Sequence, residues 1–97
     1  MTRHIILWKL KAMPDAEKET VIAGIKSGLE GLKGKIPGLL DIQVHTAALP
    51  SSNTDLMLES SFTDAAALKV YAEHPEHVAV ANAKVRPFTE LRLCFDF

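Results

Sequence analysis

The sequence predicts an α+β fold of the ferredoxin-like class, in which a four-stranded antiparallel sheet carries helices on one face. Three observations lead to this prediction. Four short segments have the apolar composition of strands, the segments between them have helical apolar spacing, and together they follow the order β-α-β-β-α-β. The chain has 97 residues, of which 47% are hydrophobic and 24% charged, so we expect one globular domain over residues 1–97.

The first two predicted strands flank a long helix. Residues 3–11, rich in Ile, Leu and Trp, are the first strand. A Met-Pro-Asp sequence interrupts the pattern, and its aspartate, Asp15, is the predicted N-cap of the helix. The apolar residues of the helix recur three or four positions apart, at Val21, Ile25, Leu29, Leu32 and Ile36. A Pro-Gly pair at 37–38 ends the helix, and residues 39–48 alternate as a second strand.

The third and fourth strands are predicted over residues 55–62 and 88–96, on either side of a second helical region. Alanine-rich sequence favours a helix that starts at Asp64 or the residue before it, since Thr and Asp are good N-caps. His74-Pro75 interrupts this helix, and a second short helix is predicted from about Glu76 to Val85.

Both faces of the predicted sheet are apolar, although the helices can cover only one. In the first strand, one face carries Ile6, Trp8 and Leu10 and the other carries Ile5 and Leu7. In the fourth strand, one face carries Leu91, Leu93 and Phe95 and the other carries Phe88 and Cys94. An antiparallel sheet that meets water is normally polar on that face, and an uncovered apolar face is larger than soluble monomers expose. We therefore expect a homodimer in which two sheets pack face to face.

Composition and charge argue against several classes of partner. Eleven basic and twelve acidic side chains give a net charge of −1 without a basic cluster, so we expect no nucleic-acid partner. Apolar runs such as residues 5–8 are too short to cross a membrane, so we expect no membrane association and a cytoplasmic location. The single Cys94 cannot form an internal disulfide, and its apolar neighbours favour a buried, inert thiol.

Four other residues have ordinary structural explanations. Trp8 is expected to pack in the core or the dimer interface, because aromatic side chains dominate buried area. Glu59 and Arg92 both lie in strands and are expected to pair across the sheet. His45, in the second strand, is expected at the surface.

Three glycines, Gly24, Gly28 and Gly31, interrupt the first helix, and each interior glycine costs about 1 kcal/mol relative to alanine. They fall on one narrow stripe beside the apolar side of the helix. Such a stripe either allows a neighbouring helix to approach closely or forms the wall of a small cavity. We favour close packing as the explanation.

Tyr71, His74 and His77 occur together in the segment YAEHPEH. A metal site is one interpretation, but Pro75 breaks helix geometry between the histidines and no second ligand cluster is evident, so no metal is expected. A second interpretation is acid–base chemistry, because histidine titrates near neutrality and a tyrosine hydroxyl can donate a hydrogen bond. In a third, structural interpretation, the histidines satisfy unpaired backbone groups at a corner between two helices. The residues alone favour the structural interpretation.

Five segments, taken in order, resemble the stress-responsive dimeric α/β-barrel (Dabb) family. They are RHIILWKLK at 3–11, IPGL at 36–39, DLMLESSF at 55–62, YAEHPEHV at 71–78 and RLCFDF at 92–97. The fourth matches the family's His-Pro-x-His signature, and the last matches its closing strand with an aspartate. The resemblance spans almost the whole chain and implies a ferredoxin-like subunit whose sheet pairs with that of its mate to form a dimeric α/β barrel.

The resemblance also implies a candidate site. A plant polyketide cyclase branch of the family closes a linear polyketide by an intramolecular aldol step, without a metal or an organic cofactor. The catalytic tyrosine and histidine of that branch correspond to Tyr71 and His77. His4 corresponds to a further pocket histidine and His74 to the first signature histidine, so both are candidate substrate-binding residues. Another pocket histidine of that branch is replaced here by Leu56, which argues against the same substrate.

The resulting hypothesis is a cofactor-free protein with a small apolar pocket for a hydrophobic or aromatic molecule. As a lyase, isomerase or cyclase, it would use His77 as general base on an acidic C–H, with Tyr71 bonded to His77 or to the enolate oxygen. As a non-enzyme, it would be a stress-related binding or stability protein. A further alternative is a cofactor-independent monooxygenase of the related dimeric superfamily, although the His-Pro-x-His segment fits the Dabb family better.

Overall fold

The computed structural model describes residues 1–97, and its sheet has the strand order β2-β3-β1-β4 with every neighbouring pair antiparallel. The elements in chain order are β1 (Thr2–Leu10), α1 (Asp15–Glu30), β2 (Leu39–His45), β3 (Leu56–Phe62), α2 (Ala65–Glu73), α3 (Pro75–Val80) and β4 (Thr89–Asp96). A π-helical turn (Ala81–Val85) and a 3₁₀ turn (Arg86–Phe88) lead from α3 into β4. This is the predicted ferredoxin-like fold. None of the helices combines the length and the apolarity needed to span a membrane.

The inner face of the sheet, which the helices cover, carries the core. Alternate residues of β1, from His4 to Leu10, are buried on this face. The members of the buried hydrophobic cluster are Ile6, Trp8, Leu10, Val21, Ile25, Leu29, Leu32, Ile36, Leu39, Ile42, Val44, Leu56, Leu58, Phe62, Tyr71 and Val85. The core therefore lies between the sheet and the helices, and the opposite, outer face has no helix against it.

Helix α1 differs from its prediction at both ends. Pro14 rather than Asp15 occupies the N-cap position, so Asp15 begins the helix and its carboxylate lies in the first turn, where it suits the helix dipole. The helix ends at Glu30, and a series of turns follows it up to β2. Leu32 and Ile36 are buried as their spacing indicated, but they reach the core from these turns.

The turn into β2 requires glycine at position 38. Gly38 has φ of +82°, a conformation that residues with a Cβ rarely adopt. A Cβ placed there would lie 2.5 Å from the Cβ of Ala67 and 3.2 Å from the Oγ1 of Thr63. The backbone N–H of Thr63 also donates to the carbonyl of Gly38 at 3.0 Å, so this turn is tightly packed against the start of α2.

The corner between α2 and α3 matches the structural interpretation of its sequence. Asp64 is the N-cap of α2 and accepts a hydrogen bond from the N–H of Ala67 at 2.8 Å. His74 has an extended backbone that ends α2, and Pro75 occupies the first turn of α3. The Nδ1 of His74 accepts a hydrogen bond from the N–H of Glu76 at 3.1 Å, so His74 is the N-cap of α3.

Close helix packing, the explanation that we favoured for the glycine stripe, is observed at Gly28. A Cβ at Gly28 would lie 2.9 Å from the Cγ1 of Val80 in α3, which is closer than real contacts allow. A Cβ at Gly24 would make only an ordinary contact of 3.7 Å with Lys84. None of the three glycines lines the cavity described below, so they do not provide space for a ligand.

The outer face of the sheet has an apolar and a polar half. The outward side chains of its apolar half, on β1 and β4, are Ile5, Leu7, Leu91, Leu93 and Phe95. The three on β4 are between 46% and 69% exposed. On the polar half, the exposed His45 of β2 and Glu59 of β3 approach to 3.1 Å. The apolar half leaves a patch that a single chain does not cover.

Candidate active site

A cavity of about 540 Å³ lies between the inner face of the sheet and the segment that runs from α2 to β4. Its lining residues are His4, Ile6, Trp8, Leu29, Leu58, Tyr71, His77, Ala81, Val85, Arg86, Thr89 and Arg92. Apolar side chains form most of the wall, while a tyrosine, two histidines and two arginines supply polar groups. Sites for small molecules in proteins commonly have this size and this mixture.

Tyr71 reaches the cavity from α2. Its side chain is 1% exposed and packs on Phe62, with ring centroids 5.1 Å apart. Its hydroxyl has no hydrogen-bond partner within the protein, which is unfavourable for a buried polar group. Burial raises the pKa of Tyr71 well above its usual range, and the positive charge of Arg92 opposes this only in part. The phenol therefore stays protonated at neutral pH and is a hydrogen-bond donor.

His77, in the first turn of α3, lies against Tyr71 with ring centroids 4.3 Å apart. Its Nδ1–H donates to the carbonyl of Ala72 at 3.2 Å, because a carbonyl oxygen can only accept. In the neutral ring this leaves Nε2 as an acceptor. Burial lowers the pKa of His77, and the positive charges of Arg86 and Arg92 lower it further, although the bond to Ala72 opposes them. The ring is thus neutral at neutral pH and able to accept a proton.

His4 supplies a second imidazole to the cavity from β1. The strand register pairs it with Asp96 of β4, and its Nδ1 lies 2.5 Å from Oδ1 of that carboxylate. Burial acts to raise the pKa of Asp96, but hydrogen bonds from His4 and Cys94 outweigh burial and lower that pKa. His4 is 8% exposed and meets the ring of Tyr71 edge-on, with centroids 6.2 Å apart. The structure therefore brings His4, Tyr71 and His77 to one cavity.

A family model for the stress-responsive A/B barrel domain (Dabb) matches residues 2–97. The chain belongs to the Dabb family. This confirms the assignment indicated by the five sequence segments. None of the curated proteins compared with the chain matches it.

Solved structures similar to this Dabb chain include proteins with and without a named activity. A dimeric protein of unknown function from Bacteroides fragilis, with a ferredoxin-like fold, is 34% identical with a TM-score of 0.92, over 99% of this chain and 93% of that one. The hydroxynitrile lyase from Passiflora edulis is 18% identical with a TM-score of 0.73, and the match covers 99% of this chain and 90% of the lyase chain. A putative antibiotic biosynthesis monooxygenase from Nitrosomonas europaea is 13% identical with a TM-score of 0.76, and the match covers 100% of this chain and 96% of that chain. The last two likenesses show the fold alone, so chemistry has to be argued from the site.

His74, the first histidine of the Dabb signature, lies outside the cavity. Its Nδ1 is occupied as the N-cap of α3, so its position does not agree with the expected contact to a substrate. His74 instead fixes the corner that presents His77 to the cavity. Leu56, at the position of the cyclase's further histidine, is 2% exposed in the core and does not line the cavity.

Arg92 is a cavity residue that the sequence patterns did not reveal. The expected pairing of Arg92 with Glu59 is wrong, because Glu59 lies on the outer face with His45 while Arg92 lines the cavity on the inner face. The alternation of side chains along β4 could have revealed Arg92, since Leu91, Leu93 and Phe95 point outward and the residues between them point inward. Arg92 adds a positive charge beside Tyr71 and His77.

Cys94 is not the buried thiol that its apolar neighbours indicated. It is exposed, because β4 is an edge strand of the sheet. Its Sγ lies 3.3 Å from Oδ1 of Asp96 and 3.9 Å from Nδ1 of His4. Burial and the neighbouring carboxylate raise the pKa of the Cys94 thiol. These three side chains form a group of potential metal ligands, whereas His74 and His77 do not share such a group.

Proposed function

We propose that the protein is a cofactor-free enzyme that carries out acid–base chemistry on a small carbonyl or aromatic compound, as a lyase, isomerase or cyclase. One observation carries the proposal: Tyr71 and His77 lie ring against ring at a cavity, in complementary protonation states. Tyr71 has a protonated hydroxyl without a partner, and His77 has a neutral nitrogen that can accept a proton. Acid–base catalysis at neutral pH needs this combination.

In the proposed reaction, Nε2 of His77 removes a proton from an acidic C–H or O–H group of the bound compound. Negative charge develops on the carbonyl or hydroxyl oxygen, and the Tyr71 hydroxyl donates a hydrogen bond to that oxygen. The guanidinium of Arg92 stabilises the same charge from the cavity wall. The protonated His77 then returns its proton to the leaving group or the product, so the cycle is complete without a redox partner.

His4 orients the substrate in this proposal. The bond from its Nδ1 to Asp96 fixes the plane of the ring and leaves Nε2 for a polar atom of the bound molecule. Ile6, Trp8 and Leu58 form an apolar wall beside it, which suits a hydrophobic or aromatic group. The cavity therefore fits a small molecule with one polar end and one apolar end.

We propose that the functional form is a homodimer. The Bacteroides fragilis protein, which is 34% identical, is dimeric. In this chain, exposed Leu91, Leu93 and Phe95 continue the apolar surface of Ile5 and Leu7 on the outer face. A second sheet packed against this patch would remove it from water, and burial of apolar area is the main driving force of such association.

The two similar structures with a named activity, the hydroxynitrile lyase and the monooxygenase, represent different chemistries. A hydroxynitrile lyase acts on a compound from which a base can remove a hydroxyl proton, and the Tyr71–His77 pair supports a reaction of that type. A monooxygenase has to transfer oxygen, and no group at the cavity specifically favours that step. The lyase, isomerase or cyclase class is therefore the better supported, with a stress-related binding protein as the alternative that experiment has to separate.

A combined ligand and turnover screen on the purified protein tests this function. The panel contains aromatic cyanohydrins, β-keto compounds and phenols, first in a thermal-shift assay and then in a product assay. At least one compound should raise the melting temperature of the wild type, because a ligand of the native state stabilises it by mass action. Tyr71→Phe and His77→Gln should each lower kcat by about 100-fold or more for that compound.

His74→Asn is the matched control, since it removes the other signature histidine but keeps a side chain that can cap α3. The variant should keep the stability and the turnover of the wild type, because the corner that presents His77 is preserved. Stabilisation by a compound without any turnover would favour the binding protein, and oxygen consumption would favour the monooxygenase. Full turnover in Tyr71→Phe would contradict the proposed mechanism.

A further inference from the structure

Three potential metal ligands of different chemistry meet beside the cavity, on the inner face of β1 and β4. The Nδ1 of His4, the Sγ of Cys94 and a carboxylate oxygen of Asp96 all lie within 4.8 Å of one another. The pairwise distances are 2.5 Å from His4 to Asp96, 3.3 Å from Cys94 to Asp96, and 3.9 Å from Cys94 to His4. The Tyr71–His77 pair does not take part in this group.

We propose that His4, Cys94 and Asp96 form a binding site for a divalent late first-row transition-metal cation, with Zn²⁺ as the expected occupant. Thiolate, imidazole and carboxylate are the three ligand types that Zn²⁺ takes from proteins. Three protein ligands leave one position of a tetrahedral site for water, and Cys94 and Asp96 are exposed to solvent. Mg²⁺ and Ca²⁺ prefer oxygen ligands only, so sulfur and nitrogen at this site discriminate against them.

The observed separations are close to those of a tetrahedral site. Zn–S bonds of about 2.3 Å and Zn–N or Zn–O bonds of about 2.0–2.2 Å place neighbouring ligand atoms about 3.3–3.6 Å apart. The Cys94–Asp96 distance of 3.3 Å fits this, and the Cys94–His4 distance of 3.9 Å is only slightly long. The His4–Asp96 contact of 2.5 Å has to open, by roughly 0.8 Å to reach that spacing. Rotation of the exposed Asp96 side chain is sufficient for such a change.

The backbone holds the ligands in place before a cation arrives. The register of β1 and β4 sets His4 directly opposite Asp96 and Ile6 opposite Cys94. Beyond this pairing, the N–H of Arg3 donates to the carbonyl of Phe97 at 2.7 Å, and the N–H of Phe97 donates back to Arg3 at 2.9 Å. His4 itself is largely buried, at 8% exposed. Ligands on rigid, paired strands lose little entropy on binding, which favours affinity.

The proposed cation takes no part in the proton transfer proposed above, because it uses neither Tyr71 nor His77. The two proposals share only His4 and its partner Asp96, and bonding of Nδ1 to either Asp96 or the cation leaves Nε2 of His4 free to orient a substrate. The test of the metal site therefore uses binding rather than turnover. The full chain is freed of metal with a chelator and titrated with Co²⁺, whose absorption reports its ligands, and with Zn²⁺ and Mg²⁺. We expect one Co²⁺ per chain with a sulfur-to-cobalt charge-transfer band, competition by Zn²⁺, and no response to Mg²⁺.

Cys94→Ser and Asp96→Asn are the decisive variants, since both residues are exposed and their replacement should leave the fold intact. Cys94→Ser should abolish the charge-transfer band, and each variant should weaken Zn²⁺ binding by at least about 10-fold. His45→Gln is the matched control, because His45 also contacts a carboxylate but lies on the outer face. Tyr71→Phe should bind Co²⁺ as the wild type does.

Two results would overturn the metal site. One is the absence of stoichiometric Co²⁺ or Zn²⁺ binding by the wild type. The other is binding that survives in Cys94→Ser and Asp96→Asn, or that His45→Gln removes, since the cation would then lie elsewhere. Circular dichroism and melting of each variant establish that it is folded, so a loss of binding cannot come from unfolding. Neither result bears on turnover by Tyr71 and His77.

Discussion

The ring of His77 lies 4.3 Å from the ring of Tyr71, centroid to centroid, although the two residues belong to different helices. The corner between these helices is fixed by His74, whose Nδ1 accepts the N–H of Glu76. Both signature histidines bond backbone groups at this corner, since His74 caps α3 and the Nδ1–H of His77 donates to the carbonyl of Ala72. Only His77 also lines the cavity, so the structural interpretation applies to both histidines and the chemical interpretation to His77 alone.

Tyr71→Phe should make the protein more stable while it makes the proposed enzyme inactive. The hydroxyl of Tyr71 is buried without a partner in the protein, so its removal saves a desolvation cost of about 1 kcal/mol. In a domain of this size that gain corresponds to a rise of about 4–8 °C in melting temperature. Calorimetry in the absence of ligand measures this rise. A lower melting temperature would mean that the hydroxyl stabilises the empty protein.

Stability should fall on mild acidification because of His77. Burial holds the pKa of His77 in the folded protein below the ordinary value of 6.5. The unfolded chain therefore binds more protons as pH drops through 6.5, and the free energy of unfolding decreases until the folded-state pKa is reached. Above 6.5 the contribution of neutral His77 is fully present.

Denaturant unfolding between neutral pH and about pH 5 measures this dependence, with His77→Gln as the comparison. The variant should lose less stability over that range than the wild type, because it lacks the titrating group. For the wild-type enzyme, kcat/KM should keep its neutral-pH value until the pH falls below the ordinary histidine value, then decline. Equal pH slopes for the two proteins would show that the pKa of His77 is not lowered.

Alanine at Gly24 and at Gly28 should have different effects. Gly24→Ala gains helix propensity and meets only Lys84 at 3.7 Å, so it should raise the free energy of unfolding by about 0.5–1 kcal/mol. Gly28→Ala gains the same propensity but brings a Cβ to 2.9 Å from Val80, a stiff β-branched residue. The free energy of unfolding of Gly28→Ala should therefore stay unchanged or fall. Urea unfolding of both variants measures the difference, and equal stabilisation would argue against close packing of α1 on α3.

A charge on the apolar half of the outer face should dissociate the proposed dimer. Leu93→Glu places a carboxylate in the middle of the patch formed with Phe95 and Leu7, where burial without a partner is costly. Sedimentation equilibrium should show a shift from dimer to monomer. Val70→Glu is the matched control, because Val70 is an equally exposed apolar residue on α2, away from this face. A wild-type monomer, or a dimer in Leu93→Glu, would contradict the proposal.

The sequence specified the order of the elements, and the limits of β1, β3 and β4 to within one residue, because apolar periodicity and helix-breaking residues act locally. The predicted ends of β2 at residue 48 and of α3 at Val85 were too late, since β2 ends at His45 and a π-helical turn replaces α3 after Val80. The sequence placed the end of α1 too late, since Leu32 and Ile36 keep helical spacing while they pack from turns. It also missed the group of His4, Cys94 and Asp96. Cys94 and Asp96 lie 90 and 92 positions after His4 along the chain, and only the register of β1 against β4 brings them to it.

Strand β4 serves the interior and the exterior of the subunit at once. Its inward residue Arg92 lines the cavity, and its inward residue Asp96 bonds His4 of the cavity wall. Its outward residues Leu93 and Phe95 belong to the proposed dimer patch. As an edge strand it is paired on one side only, so a second subunit would add support that a lone chain lacks. Separation of the subunits at high dilution would remove this support from β4, and with it from the cavity residues that the strand carries. Specific activity should then depend on enzyme concentration, so that the amount of protein in the cell sets how active each molecule is.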